Sequence, residues 1–351
     1  MGTRHALKCS IDGCKQPTVK CWECGNEYPI CRKHAVPSGK HTGAYLCPRP
    51  ECAESHAEPV LWRVNMTHHA DAVDAAWRAS VVGIGWPVSN GRDDMSWKSY
   101  ETRAKRKYAE SLSRWKSHLT TLRVKIAADD LVITANTRRK CFYLGRVTGG
   151  WRYISSGYPG NAQLVNTRAC DWVRVELDEV PGSLIFKRGT FNAVSNNFIR
   201  DYCKHLYNTR NRTGFKYKES TGSGDGESFF DCLTSDACED MVALYLHRRH
   251  NYSIRPSSCK TSSQGWEFAI LDVSGARAFV QVKNGKIDLK AEEYRPSKGY
   301  HAFLFTRGNV IGKIPNNMTV LSPDEMLDFL RRERTRFPSE LSFWVHRFWR
   351  D

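Results

Sequence analysis

Residues 265–285 read GWEFAILDVSGARAFVQVKNG. Two apolar runs, WEFAIL and RAFVQVK, flank the turn-forming DVSG, a pattern that predicts an antiparallel hairpin. Side chains two apart share a face of a strand, so Gln281 and Lys283 project together and Glu267 shares its face with Ala269 and Leu271. Asp272, in the turn, is read as a turn former. The acid at the start of the first strand therefore comes to lie beside the end of the second. A carboxylate and an amide oxygen are hard donors suited to Mg²⁺ or Mn²⁺, and a neighbouring ammonium can orient a water or offset charge on a phosphate. A neutral glutamine is a weak ligand, so a second carboxylate is expected. Glu239, early in the helix-like CEDMVALYLHRRH, is the natural supplier, with Asp240 beside it as a substitute.

This constellation resembles the PD-(D/E)xK nuclease superfamily, in the QxK variant of Mrr-like restriction endonucleases. Glu267 precedes Gln281 by 14 residues, and a helix bearing an acid comes before the hairpin. The resemblance covers about residues 227–310. It implies an α/β restriction-endonuclease-like domain with a mixed central sheet, and catalytic roles for Glu239, Glu267, Gln281 and Lys283. Glu239, Glu267 and Gln281 would be the magnesium ligands. The pattern departs from the family at two places, with Glu where Asp is usual and Gln where Glu is usual.

Upstream, the chain changes character twice. Residues 1–58 are rich in Cys and His and poor in apolar side chains. The ligand types pair as Cys9-x4-Cys14, Cys21-x2-Cys24, Cys31-x2-His34 and Cys47-x4-Cys52, with His41 and His56 in reserve. Short knuckles of this kind each offer two ligands to a tetrahedral zinc ion, so four knuckles make two structural sites. With so little core material, metal binding here is also folding energy. The order of pairs resembles the B-box-like cross-brace fingers. That resemblance implies one ion on Cys9, Cys14, Cys31 and His34, and the other on Cys21 and Cys24 with two of His41, Cys47, Cys52 and His56. Such a finger could bind DNA or a protein, or only brace the fold.

Residues 59–207 alternate strand-like runs (LWRVNM, SVVGIGWPV, DLVITAN, CFYLGRV, DWVRVEL) with one basic amphipathic segment, ETRAKRKYAESLSRWKSHLTTLRVKI. The motifs GIGWP, YLGRV-x-G-x-W-x-Y and W-V resemble the PUA-like superfamily, with its EVE, ASCH and YTH relatives, over residues 60–195. The resemblance implies a small β-barrel that holds a modified or flipped base in an aromatic cleft, with Trp86, Trp151 and Tyr153 as walls and Asn136 as a polar contact. A polar stretch over 208–226, with GSGDG near its end, has the composition of a linker. Residues 227–351 follow as the nuclease-like domain, in which SPDE at 322–325 carries a helix-start signature.

The expected whole is thus a multidomain α+β protein. Its 351 residues carry 53 Lys and Arg against 37 Asp and Glu, a formal charge of +16 that favours a polyanionic partner. No signal-peptide-like apolar core opens the chain, and no run of about 18 apolar residues occurs. Seven of thirteen cysteines fall in the zinc-like block. These features give an expectation of an intracellular, bacterial protein without membrane contact. The combined reading is a metal-dependent endonuclease acting on double-stranded DNA with modified bases, as a homodimer where both strands are cut. The competing readings are a zinc-braced binding adaptor with a degenerate nuclease domain, and an RNA or repair nuclease.

Overall fold

The computed structural model describes residues 58–66, 71–161, 163–185, 189–219, 225–260, 265–333 and 336–349, with four short strands nearer the N-terminus. Those strands are β1 (Thr18–Lys20) and β2 (Glu27–Cys31), paired antiparallel, and β3 (Val36–Pro37) and β4 (Tyr45–Leu46), likewise. The expected zinc ligands Cys9, Cys14, Cys21, Cys24, His34, His41, Cys47 and Cys52 lie outside the described residues. Cys31 enters only as the last residue of β2.

The middle of the chain runs β5 (Leu61–Val64), α1 (Ala72–Arg78), β6 (Val81–Ile84), α2 (Trp97–Lys107), α3 (Leu112–Thr120), β7 (Leu131–Asn136), β8 (Cys141–Tyr153), β9 (Asn166–Glu176), α4 (Gly182–Ile185) and β10 (Phe191–Val194). Its strands form one six-stranded sheet in the order β10-β5-β7-β8-β9-β6. The expected barrel does not close: β10 and β6 are the two edges and do not pair with each other. The physical reason lies in how the faces are covered. Along β7, Leu131 and Ile133 face one core while Val132 faces another. With apolar layers on both faces, the sheet gains nothing by curling around an interior of its own.

Helix α5 (Asn197–Arg210), capped by Asn196, leads into the remaining elements. These are α6 (Gly226–Cys232), α7 (Ser235–His250), β11 (Ser253–Ile254), β12 (Phe268–Leu271), β13 (Arg277–Lys283), β14 (Leu289–Lys290), β15 (His301–Thr306), β16 (Val310–Ile311), β17 (Met318–Leu321), α8 (Pro323–Arg332) and α9 (Ser339–Phe348). The opening hairpin forms as read, with Phe268 opposite Val280 and Leu271 opposite Arg277. Asp272 Oδ1 closes its turn by accepting from the backbone N–H groups of Ser274 and Ala276, both at 2.8 Å. Strand β13 then pairs parallel with β15, and β15 with β17, so the five-stranded sheet is mixed. The SPDE signature also forms: Ser322 Oγ accepts from Glu325 N (3.1 Å) while the Glu325 carboxylate accepts from Ser322 N (2.9 Å).

One continuous core joins the two sheets. It takes Leu131 and Leu144 from the first sheet, Tyr207 from α5, Met241 from α7, and Val280 and Phe305 from the second. Part of the polar stretch expected as a linker is fastened to this core. Tyr217 is buried; its N–H donates to Asn208 Oδ1 (2.7 Å) and its hydroxyl to the Asp129 carbonyl (2.8 Å). No described helix is long and apolar enough to cross a membrane.

Candidate active site

Alternation along β13 sends Ala278, Val280 and Val282 into the shared core, which puts Phe279, Gln281 and Lys283 on the other side of the sheet. Glu267 sits one residue before β12 and donates its backbone N–H to the Val280 carbonyl (3.0 Å), which fixes its place beside the end of β13. Gln281 Nε2 and Lys283 Nζ both donate to Glu267 Oε1, each at 2.7 Å. Gln281 is only 2% exposed, so its side chain is held in one arrangement. The second Glu267 carboxylate oxygen has no hydrogen bond or ion pair among the described residues.

Glu239 enters from the first turns of α7, whose start is capped by Thr234 Oγ1 accepting from Ala237 N (3.1 Å). Its carboxyl is pushed up to about 7, first by burial and then by the nearby negative charge of Glu267, with Lys283 acting in the opposite sense. It too lacks a hydrogen-bonding or ion-pair partner among the described residues. Glu239, Glu267 and Lys283 all line one cleft of about 1040 Å³; Asp240 does not. The hairpin acid, the helical acid and the lysine therefore converge, with Gln281 bracing Glu267 from within the sheet.

The cleft also holds residues that the sequence reading missed. Arg307, just past β15, is 6% exposed and donates to Asp231 Oδ1 (2.7 Å) and Glu227 Oε2 (2.8 Å), both from α6. Lys286 reaches the same Glu227 carboxylate at 3.0 Å. Asn196, the α5 cap, donates to the other Asp231 oxygen at 2.8 Å. Asn284 follows Lys283 and ties the strand end to α6 and its exit by donating to the Leu233 carbonyl (2.8 Å). The cleft is acidic: Asp201, Asp225, Glu227, Asp231, Glu239 and Glu267 line it against Lys283, Lys286 and Arg307. In a chain of formal charge +16 this is a local reversal.

As a metal site, the convergent group offers one unpaired oxygen of Glu267 and both oxygens of Glu239, with the Gln281 amide beside them. Hard oxygen donors with uncompensated negative charge fit Mg²⁺ or Mn²⁺ and not a thiophilic ion. Among the described residues, no group of three or more His, Cys, Asp or Glu is placed to hold a metal, so the protein offers two carboxylates here, and Gln281 is buried behind Glu267 and is not among the residues that line the cleft.

The four residues expected to line a base cleft are not brought together as its walls. Tyr153 is fully buried, and its hydroxyl accepts from Val88 N (3.0 Å). Asn136 is buried, donating to Asp74 Oδ1 (2.9 Å) and accepting from Arg139 N (3.0 Å). Trp151 packs between Trp97 and Tyr100 and donates to Asn166 Oδ1 (3.2 Å). Trp86 lines a cavity of about 310 Å³ that the other three do not line.

Compared with known proteins, residues 62–194 match a family described as a domain of unknown function, DUF8426. This span begins within β5 and ends with β10, so it coincides with the six-stranded sheet and stops before α5. No curated protein and no solved structure matches the chain.

Proposed function

We propose that the chain is a metal-dependent DNA endonuclease that hydrolyses phosphodiester bonds at the Glu239–Glu267–Gln281–Lys283 cleft. The observation that carries this reading is the shared hydrogen bonding of Gln281 and Lys283 to one oxygen of Glu267, which leaves its other oxygen and Glu239 open towards the same space. Glu239 and Glu267 would hold Mg²⁺ or Mn²⁺. A divalent ion in that position supplies a water of lowered pKa and offsets charge on the scissile phosphate. Gln281 fixes the rotamer of Glu267. Lys283 has three N–H donors and spends one on Glu267, so it can also bond a phosphate oxygen at the reacting centre. The acid excess of the cleft supports a metal requirement, since without divalent charge it repels a polyanion.

The partner is double-stranded DNA, in line with the basic chain as a whole. One such cleft cuts one strand, so a double-strand break calls for two copies. The Cys/His block binds two structural zinc ions, and metal analysis of the purified chain should return two zincs per molecule. Selectivity for modified bases, as in modification-dependent restriction of phage inside a bacterial cell, rests on the resemblance of the middle block. The direct test is to incubate the protein and Mg²⁺ with matched unmodified, methylated, hydroxymethylated and glucosylated DNA. Metal-dependent cleavage of any of these supports the nuclease. Cleavage of none, with binding retained, favours the second reading, a nucleic-acid-binding adaptor with a degenerate site. That reading draws on the amide standing where a third acid would bind metal more strongly.

A further inference from the structure

The cavity beside Trp86 is lined from both edges of the six-stranded sheet, by residues 83–86 at the end of β6 and by Asn65 and Thr190 beside β5 and β10; it shares no residue with the acidic cleft and is built at a cost in backbone strain. Trp86 has φ +72°, in the left-handed region that bulky residues rarely enter. Three successive carbonyls hold it there. Asn166 Nδ2 donates to the Gly85 carbonyl (2.5 Å), the Tyr100 hydroxyl to that of Trp86 (2.7 Å), and the Tyr108 hydroxyl and Lys107 ammonium to that of Pro87 (2.5 and 2.7 Å). Tyr108 meets the Trp86 ring edge-on at 5.0 Å, and His118 tilts against it at 6.1 Å. Strain maintained by so many fixed contacts is a mark of a functional position.

The rest of the lining is polar in a particular way. Arg114 and His118 stand one turn apart on α3 and both face the cavity. Arg114 is exposed and has no ion pair among the described residues. Asn161 and Gln163 line the same cavity; Asn161 Oδ1 accepts from Gln163 N (2.9 Å), while the Gln163 amide group has no hydrogen bond among the described residues. An indole presented by a strained turn, amides in the same lining, and an exposed guanidinium without an ion pair among the described residues describe a receptor for a flat polar ring that bears an anion. A volume near 310 Å³ is at the small end for ligand sites, enough for one such unit and no more.

We propose that this cavity binds a single nucleotide unit, its base stacked on Trp86, its edge read by Asn161 and Gln163, and its phosphate met by Arg114. It deepens the proposed function by assigning selectivity to a cavity made of Trp86, Arg114, His118, Asn161 and Gln163, in place of the Trp151, Tyr153 and Asn136 cleft that the sequence suggests. It does not depend on any chemistry at Glu267. The unit could come from an extruded base of a duplex or from a free mononucleotide, and the same experiment separates these.

Binding is measured with the full chain in Mg²⁺-free buffer, where no cleavage is required. The probes are the four 5′-deoxymononucleotides, a matched duplex, and the same duplex with one mismatched, easily extruded base. Preference for the mismatched duplex by about tenfold, lost in the Trp86→Gly variant, assigns the site to a polymer-borne base. Saturable mononucleotide binding, lost in the same variant and without duplex discrimination, assigns it to a free nucleotide. Glycine tolerates φ +72°, so Trp86→Gly removes the ring while relieving the backbone, and Trp86→Phe should restore most of the binding. Arg114→Ala should weaken the phosphate-bearing probes and leave the corresponding free nucleosides unaffected. If neither the mismatched duplex nor any mononucleotide shows Trp86-dependent binding, the assignment is overturned, whatever becomes of the nuclease.

Discussion

In the five-stranded sheet the charged groups gather at strand ends, where β13 runs past its apolar partners and Glu267, Lys283 and Glu239 face a wide cleft. In the six-stranded sheet the comparable polar groups are mostly spent inside, tying turns and strands together, as with Asn136, Asn166 and Tyr153. One region leaves Glu239 and one oxygen of Glu267 without partners among the described residues; the other leaves an aromatic residue on strained backbone. The contrast teaches that an unsatisfied group at a mouth, and not the residue type, marks where each sheet can act. Charge without a partner suits a cation and a phosphate, whereas a constrained indole suits a flat ring.

The sharpest way to break this contrast is to neutralise the hairpin acid. Glu267→Gln keeps the shape but removes the charge that Gln281 and Lys283 both address, and should lower Mg²⁺-dependent plasmid nicking by about a thousandfold. The same substitution should leave nucleotide binding at the Trp86 cavity unchanged. Next in size is the Arg307 clamp. Arg307→Ala takes the buried cation from Asp231 and Glu227, leaving them only Asn196 and Lys286, and should destabilise the fold by about 2 kcal/mol by denaturant titration, less than for a fully buried pair because Glu227 is half exposed. A smaller effect is expected from charge alone. Adding Ca²⁺ to the metal-free protein should tighten DNA binding by about tenfold by offsetting the acid excess of the cleft, and this gain should vanish in Glu239→Gln.

The pH response comes from Glu239. Its pKa is raised in the folded chain from 4.5 to about 7, so within that window the folded state holds a proton that the unfolded state has released. Metal-free stability should therefore fall as pH rises across the window, and Glu239→Gln should flatten the change in thermal midpoint. Cleavage at limiting Mg²⁺ should move the other way, rising through about pH 7 as Glu239 becomes free to bind metal. The smallest effect is local: Ser322→Ala, which removes the α8 cap, should cost about 1 kcal/mol.

How far each region could be read from sequence follows from the same contrast. The hairpin acid, the glutamine and the lysine lie on two strands joined by one short turn, so period-two alternation alone places them together. The SPDE cap is likewise local. Arg307 was not legible, because its partners Asp231 and Glu227 are 76 and 80 residues away and no periodicity links them. In the middle block the aromatics were visible but their facing was not. Strand β8 slips register between Val147 and Trp151, and the hydrogen bonds that bury Tyr153 and Asn136 come from distant loops and from α1. The open sheet was missed for a related reason: closure depends on what covers each face, and here α1, α2 and α3 pack on one face while α5 packs on the other.

The central claim is tested most directly by comparing wild type with Lys283→Ala on supercoiled plasmid and Mg²⁺, with DNA affinity measured alongside in Ca²⁺. The account predicts that wild type nicks the plasmid, and that the variant binds it with nearly equal affinity yet leaves it uncut. Equal nicking by both proteins would contradict the placement of the reaction at this strand end.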